Sequence, residues 1–319
     1  MGNIMGKTVF PKNPVLFITY NRLDLVKETF SKIKEYKPER FYIASDGGKN
    51  PEDMEKVREV RAYLDSAVDW ECEVKTRYAA SNQGCKYGPY HAMEWFFGQE
   101  EQGIILEDDV RPERDFWRYM DEMLERFQKE EQVMLVSGCN IMTEYRSNTR
   151  FFFTRHPNYW GWGTWKRAWK YMDIDMKQYP KMKESKILSS IFAKNTAFSL
   201  ERDFEEVYSG ELDAWDYAFT MAVILKNGLA VMPAQSLTLN EGFARADGTH
   251  TNSNFLDIQA GSLLKDLPDP EKIEADKNFD ELVDRDFFRV NYFHEWVRMV
   301  LPQSMYKRIL ILYRKLRTP

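Results

Sequence analysis

Two spacings of apolar residues take turns along the first half of this chain. Val15-Leu16-Phe17-Ile18-Thr19-Tyr20 is a nearly continuous apolar run behind Pro14. Such a run fits a strand covered on both faces, as in a parallel sheet. From Asn21-Arg22-Leu23-Asp24 the spacing becomes helical, with Leu25, Val26, Phe30 and Ile33 on one stripe. Arg40 to Ala44 reads as a second strand, ending at Ser45-Asp46-Gly47-Gly48. A helix is expected from Pro51 to Leu64, with Met54, Val57, Val60 and Ala62 inward. Trp70 to Tyr78 alternates as a third strand, Ser81 to Gly84 turns, and Pro89 to Phe97 is a helix. Ile104-Ile105-Leu106 is a fourth buried strand, ending in Glu107-Asp108-Asp109. This order predicts an α/β fold, a mostly parallel sheet with helices on both faces. Ligands of such sheets lie at the carboxyl ends of the strands. Asn21, Asp46, Asn82 and Glu107 all fall there.

The second half is less regular. Asp115 to Lys129 is a helix with Phe116, Met120, Met123, Leu124 and Phe127 inward, and Val133 to Gly138 is a strand. Residues 140–158 read as irregular. Trp160-Gly161-Trp162-Gly163-Thr164-Trp165 is expected to open a helix running through Trp169 and Met172. Asp173 to Ser209 is charged and helical, Ala214 to Leu225 a helix, Leu229 to Pro233 a strand, and Ser236 to Asn254 a loop. Past Leu256 the chain turns acidic, then helical to Pro319. The expected division is a lead-in over 1–13, one domain over 14–255, and a C-terminal helical extension over 256–319.

Composition changes this picture little. A chain of 319 residues, 43% hydrophobic and 30% charged, supports a sizeable core. The net charge of −5 gives no basic field for nucleic acid. Cys72, Cys85 and Cys139 are odd in number and lack metal-ligand spacing, which favours reduced thiols and a cytoplasmic setting. Neither a signal peptide nor a membrane-spanning run is expected. From Trp296 onward the tail carries Arg298, Lys307, Arg308, Arg314, Lys315 and Arg317 and no acid. Met305, Ile309, Leu312, Tyr313 and Leu316 share one helical side. Such a helix either lies peripherally on the anionic inner face of a membrane or packs on the domain.

The candidate chemistry starts at Glu107-Asp108-Asp109. Three acids ending a buried strand repel one another and cost desolvation unless a cation or donors meet them. A hard divalent metal shared with a diphosphate fits that need; a solvated acidic loop is the plain alternative. Asp46, at another strand end, offers an acceptor for a base N–H, or is a simple Asp-Gly turn. Gly84 suits backbone approach to a phosphate at a helix N-terminus, or an ordinary turn. The Trp160–Trp165 stretch suits a sugar-ring platform or a packed junction. Asp213, before an apolar run, suits a helix cap.

In order and spacing these motifs resemble the GT-A class of nucleotide-sugar glycosyltransferases. The likeness is nearest the N-acetylglucosaminyltransferase I type and related bacterial enzymes. It spans about Pro14 to Asn252 and rests on Tyr20-Asn21-Arg22, Ser45-Asp46-Gly47-Gly48 and the helix with His91 and Trp95. Further on it rests on Glu107-Asp108-Asp109, Gly161 to Trp165, Trp215-Asp216 and Gly242-Phe243…Gly248-Thr249-His250. It implies a GT-A fold and an inverting, Mn²⁺- or Mg²⁺-dependent transfer from a nucleoside-diphosphate sugar, UDP-linked, to a glycan or lipid-linked glycan. Under it Thr19, Tyr20, Asn21, Arg22, Asp46 and His91 hold the nucleotide, and Glu107 and Asp108 the donor. Asp109 ligates the metal, and Asp216 is the general base. Trp162 and Trp215 form the sugar platform. Arg245, Thr249 and His250 close over the diphosphate. A sugar nucleotidyltransferase has a similar sheet but needs a Gly-rich loop after the first strand, where this chain has Thr19 to Leu23 without glycine. An inactive glycan-binding scaffold is the third alternative, and joint retention of Asp46, Asp109 and Asp216 argues against it.

Overall fold

The computed structural model describes residues 10–242 and 258–288. Its first half follows the expected alternation. Strands β1 (Val15–Thr19), β2 (Arg40–Ser45), β3 (Glu73–Tyr78) and β4 (Gln102–Glu107) are separated by helices α1 (Leu23–Tyr36), α2 (Pro51–Ala67) and α3 (Gly84–Phe97). After β5 (Val110–Pro112) come α4 (Arg114–Arg126), β6 (Val133–Ser137), β7 (Phe151–Thr154) and β8 (Trp162–Trp165). Short helices α5 (Lys166–Trp169), α6 (Tyr179–Ser185) and α7 (Ile187–Ile191) lead to α8 (Lys194–Ser209) and α9 (Asp216–Leu225). Then follow β9 (Leu229–Pro233), β10 (Thr238–Asn240) and α10 (Lys277–Asp286).

Among the described residues, eight strands form one sheet in the order β3-β2-β1-β4-β8-β6-β9-β7, with β7 and β8 antiparallel to their neighbours and the rest running one way. This is the expected mostly parallel α/β sheet. The period-2 alternation of β1 divides two cores. Leu16 faces Phe96, Trp162 and Phe219 on one side. Val15 and Phe17 face Phe30, Phe116 and Met120 on the other. Helices α3, α8 and α9 therefore cover one face, and α1, α2 and α4 the other. Pairing of Thr19 with Ser45 and of Ile18 with Glu107 sets the ends of β1, β2 and β4 level.

Three expected elements differ here, each for a packing reason. The Trp160–Trp165 stretch is not a helix start. Its Trp162–Trp165 part is β8, inserted antiparallel between β4 and β6, and the helix through Trp169 starts only at Lys166. The alternation of β8 sends Trp162 to one core and Trp165 to the other. Gly163 permits this, because a Cβ there would stand 3.1 Å from the Gly103 carbonyl oxygen of β4. Within 140–158, the Phe151–Thr154 run is an edge strand paired with β9. Inside the expected 236–254 loop, β10 pairs antiparallel with β5, immediately after the acidic triplet. Ala62 is exposed rather than inward, and Met54 is half-buried.

Helix α10 packs Phe279 and Val283 on Phe152 and Met232 at the sheet edge. Its lead-in is tied down by Arg150, which pairs with Glu122 and with Asp269. Glu122 is largely buried, so Arg150→Ala strands a carboxylate out of water. The expected loss is about 3–5 kcal/mol, the range for breaking a buried pair from one side, read from urea midpoints. A loss under about 1 kcal/mol would place the pair with exposed ion pairs. The 255/256 boundary and the basic tail lie outside the described residues. No described helix is long and apolar enough to cross a membrane.

Candidate functional site

The carboxyl ends of β1, β2 and β4 open into a cleft of about 970 Å³. It sits where the strand order reverses about β1, the usual crevice of open α/β sheets. Thr19, Tyr20, Asn21, Arg22, Asp46, Glu107, Asp108, Asp109, Trp215 and Asp216 all line it. Asp46 lies 24–27 residues from Thr19–Arg22 and the remaining members 85–197 residues from them, and the sheet register brings them together.

On the floor, Arg22 is the counter-ion of the acids. Its guanidinium pairs with Asp108 and reaches Asp109 Oδ2 at 3.1 Å. Asp108 also accepts the Tyr20 amide at 3.2 Å. Burial would lower the Arg22 pKa, but Asp108 and Asp109 hold it above its usual value. Burial pushes Asp108 up to about 6 against the pull of Arg22. Among the described residues, no cation pairs with Glu107. Burial, then Asp109, Asp108 and Asp216, push it up to about 8, opposed by the Trp215 indole N–H at 3.3 Å from Oε1. Among the described residues, one guanidinium thus serves the three acids Glu107, Asp108 and Asp109, a group short of positive charge.

This shortage fits a divalent cation. Among the described residues no three His, Cys, Asp or Glu side chains form a closed ligand set. The two observations are compatible, since Mg²⁺-type ions are commonly held by one or two carboxylates with substrate phosphates completing the shell. Gly242 stands directly against Asp109, where a Cβ would collide with Oδ2. The Glu241 amide donates to the Asp109 carbonyl at 2.7 Å. The chain therefore leaves the described region beside the acids. Arg245, Thr249 and His250 lie outside the described residues.

At the other end, Asp46 is already engaged. It accepts from the amides of Gly47 (2.8 Å), Gln83 (2.9 Å) and Gly84 (3.2 Å) and from Asn82 Nδ2 (3.0 Å). A carboxylate offers about four lone-pair sites, so a base N–H reaches Asp46 only by displacing one donor. Burial raises its pKa and these amides oppose the rise. Thr19 is buried, with Oγ1 donating to the Ala44 carbonyl at 3.3 Å. Tyr20 Oη and Asn21 Nδ2 donate to Asp53, which also accepts the Lys49 amide at 2.7 Å. Sequence reasoning missed Asp53. The available signal was Asn50-Pro51-Glu52-Asp53, a helix start in which Asn50 caps the Asp53 amide at 2.9 Å.

His91 does not line the cleft; its Nδ1 lies 3.3 Å from Gln83 Oε1, which does. Trp162 does not fit a sugar platform. It is 1% exposed and stacked beneath Trp215, centroids 5.5 Å apart. Its place in the middle of the sheet buries it. Trp160, from the stretch expected to offer a sugar platform, and Tyr159, not singled out before, line the cleft beside Trp215.

No protein family matches the chain, and no curated protein does. The solved structures similar in part include three that illustrate the range. One is a mannosyltransferase from Pyrobaculum calidifontis in complex with GDP-Man and Mn²⁺, at 13% identity and TM-score 0.35, covering 50% of this chain and 46% of that one. This chain therefore matches less than half of that enzyme's length. Another is mouse xyloside xylosyltransferase 1, at 13% identity and TM-score 0.34, covering 67% and 82%. The third is a glucose-1-phosphate thymidylyltransferase from Bacillus anthracis, at 12% identity and TM-score 0.32, covering 67% and 95%.

Proposed function

We propose that this protein is an inverting, divalent-metal-dependent glycosyltransferase using a nucleoside-diphosphate sugar, UDP-linked, and a hydroxyl of a glycan or lipid-linked glycan. The observation that carries the reading is the group of Glu107, Asp108 and Asp109 at a strand end, cation-poor among the described residues, with Asp216 beside Glu107 in the same cleft. Inversion needs little more from the protein. An acceptor oxygen attacks the sugar C1 as the C1–O bond to the diphosphate breaks, and the bonding pair leaves with the diphosphate. The proton of the attacking hydroxyl passes to one carboxylate, here Asp216. Mn²⁺ or Mg²⁺ held at Asp109, with Glu107 and Asp108 nearby, would offset charge on the leaving diphosphate. Arg22 is placed to turn from Asp108 and Asp109 to phosphate. Trp215, Tyr159 and Trp160 offer the apolar wall that sugar faces pack on.

The test is thermal stability with UDP and Mn²⁺, then hydrolysis across a panel of nucleotide sugars. A ligand that binds the native state raises the melting temperature. No shift with any nucleoside diphosphate would sink the reading. A shift with nucleoside triphosphates and sugar phosphates alone would favour a nucleotidyltransferase. Cys85 gives an independent readout, since it is exposed and lines the cleft while Cys139 is buried. At ten times its dissociation constant, UDP with Mn²⁺ should slow alkylation of the Cys85 peptide about tenfold, followed by mass spectrometry. An unchanged rate would move the nucleotide away from the α3 end of the cleft.

A further inference from the structure

The first turn of α3 is capped from outside. Its N-cap residue Gln83 makes no side-chain capping bond. Four consecutive amides instead donate to two distant carboxylates. Asp46, at the end of β2, takes Gln83 and Gly84. Asp213 takes Cys85 on Oδ2 and Lys86 on Oδ1, both at 2.9 Å. Gly84 lies at φ +78°, and a Cβ there would stand 2.6 Å from Asp213 Oδ2. The positive end of α3, a natural anion site, is therefore filled by the protein's own acids. Asp213 does not cap its own helix, as the sequence suggested.

The consequence lies three residues on. Between α8 and α9 the chain passes through a loop that opens with Gly210 at φ +81°. Lys86 holds the near side, its Nζ 3.3 Å from the Val207 carbonyl. Asp213 holds the far side. Trp215 then donates to Glu107, and Asp216 opens α9. A four-residue segment is thus pinned at one end to α3 and at the other to the acid cluster.

We propose that Asp213 is a positioning residue: its bidentate grip on the first turn of α3 sets where Asp216 stands, and ties that acid to the Asp46–Asn82 end of the cleft. This rests on Asp216 being the base. Misplacement of a reacting group by about 1 Å costs on the order of 10²-fold in rate. The test compares Asp213→Ala, Asp213→Asn and Asp216→Asn in the full-length protein. The assay is Mn²⁺-dependent hydrolysis of the best UDP-sugar in the panel, with UDP–Mn²⁺ affinity measured by calorimetry.

Asp213→Ala should lower kcat about 10- to 100-fold, with UDP affinity within about twofold. Its pH–kcat profile should keep the wild-type shape on a lower plateau, because the base is still present. Asp213→Asn, which keeps one acceptor oxygen, should recover part of the loss. A lowered melting temperature with unchanged kcat would make Asp213 purely structural and overturn the proposal. Equal losses in kcat and UDP affinity would do the same. If the Ala variant does not fold, Asp213→Asn decides: a lower kcat at unchanged affinity supports the proposal, and an unchanged kcat overturns it. A fully active Asp216→Asn brings down both readings. An inactive Asp216→Asn beside an unaffected Asp213→Ala brings down this one alone.

Discussion

Asp216→Asn is expected to lower turnover by about 10²–10⁴-fold, the range for removing a general base, while UDP–Mn²⁺ affinity stays close to wild type. The substitution is nearly isosteric. It keeps the start of α9 and the Trp215 contact to Glu107 that places it. What it removes is the ability to take a proton from the acceptor. It also removes one of the three acids that raise Glu107. A loss confined to kcat, with donor binding retained, separates this role from metal or nucleotide binding. If Asp216→Asn keeps full activity, the base lies elsewhere, and Glu107, the other cleft acid beside it, becomes the first to test. The product anomer, read by NMR coupling, checks the inversion that a single base implies.

The parallel half of the molecule was legible because its strands are buried on both faces and its helices on one. Val15–Thr19 and Leu23–Tyr36 show that difference as continuous against periodic hydrophobicity. Strand ends then located the cleft without any tertiary information. The antiparallel strands were not legible for the same reason. Trp162–Trp165 is short, and its Gly163 is explained by a backbone approach to β4 that only the sheet reveals. The three-residue pairing of β5 with β10 has no periodicity to read.

Among the site residues, identity was easier to read than partner. Asp46 was expected to face a base, yet its oxygens are taken up by the Asn82–Gly84 turn. Asp213 looked like a local cap and serves a helix 127 residues upstream. A carboxylate before a helix carries the same local signal whichever helix it caps. Trp162 and Trp160 differ by one strand period in sequence, but one is in the core and the other on the cleft wall. Tryptophan content could not tell them apart.

Asp109→Ala should abolish the stabilisation that UDP and Mn²⁺ give together. At 100 times its dissociation constant a ligand adds about 2.7 kcal/mol. At about 2–4 °C per kcal/mol for a domain of this order of size, the wild-type shift is on the order of 5–10 °C. The variant should show none of the metal-dependent part. Without ligand its melting temperature should equal or exceed that of the wild type. Asp109 is the largest charge contribution after burial to the raised Glu107, and Arg22 keeps Asp108 as a partner when Asp109 is gone. An acid that destabilises the resting protein and is required for the liganded one is the signature of a site built for a cation rather than for the fold. A variant that loses resting stability and keeps the Mn²⁺-dependent shift would show the reverse: Asp109 would be a structural partner of Arg22, and the metal would sit elsewhere.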